Sequence, residues 1–168
     1  MTGPAPDLMA PVIGFRSWRI AHGGLQSPYV PCRWEGRVMH AECYDANRVL
    51  VRGEGWLDEP HASPHPDCQC GIYAYYGPGL RSYYGEQWWC EGVVAAWGRI
   101  EAHADGLRAE FARVEALGVP DLGNARVAPA VEAIGAELGV PVVPAAALPD
   151  FAERHGAPVP DVLRPPRR

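Results

Sequence analysis

Residues 61–76 read HASPHPDCQCGIYAYY, and no other stretch restricts what this chain can fold into as strongly. Ten residues gather His61, His65, Asp67, Cys68 and Cys70, all able to ligate a metal, just ahead of Gly71 and an aromatic run with the composition of a strand. In an extended Cys68-Gln69-Cys70 both thiols fall on one side, because strand side chains alternate between faces. Gly71 gives the backbone the freedom to wrap an ion, and Pro64 and Pro66 stiffen the approach. Zinc takes thiolate and imidazole ligands, and a structural site fills all four positions from the protein. The expected set is Cys43, His61, Cys68 and Cys70, with His65 as the alternative imidazole and Cys32 as the alternative to Cys43. Without a metal, Cys68 and Cys70 would be small buried thiols on a strand beside exposed loop histidines.

A chain of 168 residues with nearly half of them hydrophobic is long enough for a core that needs no staples. No apolar run approaches the roughly 18 residues of a membrane span, which predicts a soluble protein. The start, MTGPAPDLMAPV, lacks the basic and apolar segments of a secretory signal, so the expected compartment is the cytoplasm, where five cysteines suggest metal or buried thiols rather than disulfides. A net charge of −5 argues against extensive binding to duplex nucleic acid, whose phosphates reward a broad basic face. All fifteen basic residues are arginine, which removes Schiff-base lysine chemistry and the lysine of a phosphate-binding loop. The only serines are Ser17, Ser27, Ser63 and Ser82, none in the G-x-S-x-G setting of a hydrolase nucleophile.

Strand patterns recur at 12–20, 25–30, 37–43, 72–76 and 92–103, separated by Gly- and Pro-containing turns, and this favours antiparallel pairing. Residues 107–114 fit two periods. Leu107, Ala109 and Phe111 share a strand face, whereas Leu107, Phe111 and Val114 share a helical one; the Asp105-Gly106 turn favours the strand. The composition then changes. ARVAPAVEAIGAELG reads as an amphipathic helix with Pro129 near its start and Gly139 past its end, a short apolar run follows at 140–143, and LPDFAERH reads as a second helix closed by Gly156. The predicted class is α+β, a mainly antiparallel β core with a C-terminal pair of helices. Its parts are a flexible tail over 1–10, a β-rich core carrying the zinc site over 11–118, and a helical segment with a Pro/Arg-rich tail over 119–168.

Two further patterns carry chemistry. His40-Ala41-Glu42 looks like the H-x-E element of zinc-dependent nucleoside and base deaminases, which would make Glu42 the acid/base, but the cysteines stand two apart where that family has P-C-x-x-C. Gly71-Ile72-Tyr73 followed by Tyr83-Tyr84-Gly85 resembles the hairpin of the GIY-YIG nucleases, with Arg99 too distant for that family's arginine. Aromatic side chains also crowd into 73–97. Adjacent Trp88 and Trp89 cannot face the same side of one strand, so burying one exposes the other, and Trp88 or Trp89 with Arg81 is the predicted ligand or partner surface.

Gly14-Phe15-Arg16-x-Trp18-Arg19, Ala41-Glu42-Cys43, His61-x-x-Pro64, Pro66-x-Cys68-x-Cys70-Gly71-Ile72-Tyr73-Ala74, Trp97-Gly98-Arg99 and Arg108-Ala109-Glu110 together resemble a family of small uncharacterised proteins of actinobacteria and their mobile elements. The resemblance spans about residues 12–115. It implies a single unit with a strand after Gly106, and no activity. The expectation is a zinc-stabilised, non-catalytic binding or regulatory module with an aromatic surface and a protein or small-molecule partner. A zinc hydrolase or deaminase is the competing class, set apart by a coordination position left open for water.

Overall fold

The computed structural model describes residues 10–30, 32–43, 61–79, 88–120 and 126–166. Among them are seven strands, β1 (Val12–Ala21), β2 (Gly24–Gln26), β3 (Val38–His40), β4 (Ile72–Tyr75), β5 (Trp89–Ala102), β6 (Gly106–Val119) and β7 (Val142–Pro144). Helix α1 (Val127–Leu138) precedes β7 and helix α2 (Leu148–His155) follows it. The α+β architecture expected from the sequence is therefore present: a mostly antiparallel sheet and two C-terminal helices.

The long β5–β6 hairpin organises the rest. It turns through 103–105, where His103 N–H donates to Gly106 O at 2.8 Å, and Ala102 pairs with Leu107. The helical alternative for 107–114 loses because β6 pairs along both edges. β5 lies on one side, and β4, β3 and β7 follow one another along the other, the last in parallel. A helix would satisfy the same backbone groups but could not join these strands, so tertiary pairing outweighs the Ala/Glu/Arg helix propensity. The pairing also returns on itself: β1 pairs with β5, β5 with β6, β6 with β4, and β4 with β1 through Phe15 and Tyr75. Register shifts at Val93/Val94, where Glu115 of β6 is the extra residue, and at Trp97/Ile100, where β5 carries the extra one, bend the hairpin as such closure requires. At the second, Gly98 has φ 78° and leaves no room for a Cβ beside Glu110 and Phe111.

The sheet buries both faces. On one, Trp18, Val94, Ala112 and Val114 pack with Val127, Val131 and Ile134 of α1; on the other, Ile13, Phe15, Val93 and Ala116 pack with Leu148, Phe151 and Ala152 of α2. Helix α1 ends at Gly139 in the left-handed conformation, as the sequence indicated. The pairing that matters most for the site is on the outer edge of β6. There β4 takes 106–109 and β3 takes 111–113, so the chain leaving β3 and the chain entering β4 arrive side by side.

Candidate metal centre

Cys43 follows β3, whose pairing to β6 continues one step further as Ala41 N–H donates to Glu110 O at 2.7 Å. Cys68 and Cys70 lead into β4. The shared edge brings thiols 25 positions apart to 3.6 Å, Cys43 Sγ to Cys68 Sγ, and Cys70 Sγ lies 3.4 Å from His61 Nε2. The four ligand atoms of Cys43, His61, Cys68 and Cys70 all lie within 4.8 Å of one another. Tetrahedral ligands at about 2.3 Å (sulfur) and 2.0–2.1 Å (nitrogen) from a shared ion would sit roughly 3.5–3.8 Å apart, so both short separations suit a common ion. Cys43 and Cys70 are buried, and His61 and Cys68 are half-buried. Together these residues form a possible metal site.

Buried Arg108 of β6 fastens the loop that carries two of the thiols. Its Nη1 donates to the carbonyls of Cys68 and of Cys70, the latter at 3.0 Å, and its Nη2 pairs with Glu101 of β5. Glu101, Arg108 and Tyr73 are cross-strand neighbours in one row, which is how the register delivers the guanidinium. Tyr73 adds a hydrogen bond from its hydroxyl to Gln69 O at 2.9 Å, and Arg99 reaches Pro64 O at 3.4 Å. Gly71 has φ 126°, and a Cβ there would press on Arg108 and Pro64 at 3.0 and 3.2 Å. The glycine is thus required by conformation and by space.

The thiols influence one another electrostatically. Burial, then the hydrogen bond with Cys68 and the charges of Cys68 and Cys70, pushes Cys43 up to about 12. Burial also acts upward on Cys68, but hydrogen bonds from the Cys70 backbone and from Cys43 outweigh it and hold that thiol below its ordinary value. Cys43 therefore holds its proton more tightly than Cys68 does. A thiophilic cation would replace that proton.

His65 and Cys32, the alternatives from sequence, stand outside the group of four. The His65 ring lies 4.5 Å from that of His61, and its Nδ1 accepts the Asp67 N–H at 3.2 Å. His40 also stands apart. It stacks on Phe111 at 4.5 Å and lies 3.8 Å from Glu110, on a strand instead of the helix that an H-x-E deaminase element would start. Of the nuclease-like tripeptides, the first enters β4, while Tyr83, Tyr84 and Gly85 fall outside the described residues, as does Arg81. Trp88 and Trp89 diverge: Trp89 is in the core at 3% exposure and Trp88 is 37% exposed.

Two features were not anticipated from sequence. Arg108 appeared only as part of a family resemblance, and its place opposite Tyr73 and Glu101 depends on register. Likewise Trp97 stacks on Phe111 at 5.7 Å and Phe111 on His40, giving a ladder of three partly exposed rings across β5, β6 and β3. Compared with protein-family models, curated proteins and solved structures, the chain gives no match.

Proposed function

We propose that the protein is a zinc-stabilised, non-catalytic binding or regulatory module of the cytoplasm, with the zinc held by Cys43, His61, Cys68 and Cys70. The observation that carries this reading is the donor set, three thiols and one imidazole drawn from two loops within 4.8 Å. Soft sulfur donors favour zinc over magnesium or calcium, and four protein ligands make a closed structural complement with no position left for water. Such an ion would contribute folding energy directly, because the two loops do not form the site when unfolded. A zinc hydrolase or deaminase would need an open position and an acid/base such as Glu42.

The surface offered to a protein or small-molecule partner is aromatic. It includes Trp88 and the ladder of His40, Phe111 and Trp97, with Arg81 added from the sequence expectation alone. Large rings with part of their area exposed are typical anchors of binding surfaces. Elemental analysis of purified protein should find about one zinc per chain, and X-ray absorption should fit three sulfurs and one nitrogen. An oxygen in place of one protein ligand, or ammonia release from nucleosides that Glu42→Gln abolishes, would overturn the non-catalytic reading.

A further inference from the structure

Arg16 occupies an inward position of β1 and is only 8% exposed, with its guanidinium carbon 5.9 Å from the Trp18 ring and 5.4 Å from the Trp34 ring. Nη1 donates to Tyr73 O at 2.6 Å and Nη2 to Ser27 Oγ at 3.3 Å, while Nε has no partner. Both acceptors are neutral, and among the described residues no carboxylate pairs with this guanidinium. Burial lowers Arg16 only to about 10, so it remains charged at neutral pH. A buried cation whose described hydrogen-bond acceptors are all neutral is costly, and an unpartnered buried N–H adds to that cost.

A cavity of about 80 Å³ lies against this arginine. Val30, Trp34, Met39 and Ile72 supply apolar walls, and exposed His40 and Glu42 stand at its rim. Trp34 Nε1–H, buried in the same wall, also lacks a partner. Sites for drug-sized ligands run to about 300–1,000 Å³, so the occupant is small. Arg16 lines this cavity, and a guanidinium offers paired N–H donors that suit the two oxygens of a carboxylate.

We propose that this cavity binds the carboxylate of a ligand bearing a short apolar group, seated on Arg16 with its tail among Val30, Trp34, Met39 and Ile72. One guanidinium balances one negative charge. A phosphate dianion would bring a second charge into largely apolar walls with Glu42 at the mouth, and so is disfavoured. The carboxylate can belong to a free short-chain acid or to the C-terminus of a peptide ending in a small apolar residue. The assignment stands on the cavity and does not depend on which metal, if any, the cysteine cluster holds.

Titration of the full-length protein with sodium butyrate, read by calorimetry and by tryptophan fluorescence, tests it. Saturable binding of butyrate, with the neutral isostere butyramide at least tenfold weaker, is the expected result. Arg16→Gln should lose butyrate binding by a similar factor. If that variant does not fold, the butyrate–butyramide comparison on the parent protein decides alone. A peptide ending in free valine that binds when its amidated form does not would assign the carboxylate to chain termini; butyrate binding without peptide binding would assign it to free acids. Equal affinity for butyrate and butyramide, no binding of any carboxylate, or inorganic phosphate binding as tightly as butyrate would each overturn the proposal.

Discussion

Where α2 meets the sheet, Leu148, Phe151 and Ala152 press on Ile13, Phe15, Val93 and Ala116, and every contributor is apolar. Where the 61–71 loop meets β6, the contacts are thiols, imidazole, backbone carbonyls and the Arg108–Glu101 pair. The first region is held by removal of hydrocarbon from water, which needs no partner from outside the chain. In the second, irregular backbone is tied by the Arg108 and Arg99 guanidiniums, by the Tyr73 hydroxyl and, on the proposed reading, by one ion. One polypeptide thus secures a face and an edge of a sheet in different ways, and on the proposed reading only the edge depends on what the solution supplies.

The sharpest way to break this contrast is to remove a ligand or the ion. Cys70→Ser, or exhaustive chelation of the parent protein, should cost several kcal/mol through loss of metal-coupled folding energy, measured by denaturant unfolding with zinc content assayed in parallel. Full stability in metal-free protein would mean that the cluster is merely packed. Leu148→Ala should cost about 2–5 kcal/mol by opening a cavity under α2, with the zinc content unchanged. If zinc were lost with it, the two regions would be one cooperative device.

Arg108→Leu should leave the four ligands in place yet weaken zinc about 10–100-fold, because partners that orient a ligand-bearing loop contribute at that level. Competition with a chromophoric chelator measures it. His65→Ala should change stability by less than about 0.5 kcal/mol and leave zinc bound, since its ring is outside the group of four. Retained zinc in His61→Ala with loss in His65→Ala would reverse the assignment of the imidazole.

The thiols themselves report the same division. Cys90 lies wholly inside the apolar core, where burial pushes it up to about 12 from an ordinary value of 9.0. Its folded form holds the proton more tightly than its unfolded form. That contribution is complete below the ordinary thiol range and disappears as pH climbs towards the raised value. Cys90→Ala should therefore flatten the alkaline limb of the stability profile between those limits. In native protein a thiol reagent should leave Cys90 untouched at neutral pH, while chelation should open Cys43, Cys68 and Cys70 to labelling.

Much of this was present in the residues alone. The 61–76 stretch supplied three of the four members of the possible metal site, His61, Cys68 and Cys70, because sulfur and imidazole at such density in a short segment have few other uses, and Pro129 and Gly139 marked the ends of α1 because each has a backbone preference independent of context. Trp88 and Trp89 do differ in exposure, but Trp88 precedes β5 and both faces of β5 are buried over 89–96, so its place at the strand's end sets the difference and alternation does not. Other features depend on which strands meet. Residues 107–114 carry two compatible periods, and only the neighbours on both edges of β6 select the strand. The same edge brings Cys43 to Cys68, sets Arg108 beneath the loop carbonyls and stacks His40 on Phe111. His61 and His65 are equivalent in composition, and three-dimensional position alone puts one in the group of four and the other outside it. Local sequence fixes what a residue can bind and which backbone angles it favours, but distance across a sheet is set by register, which is a property of two strands together and of neither by itself.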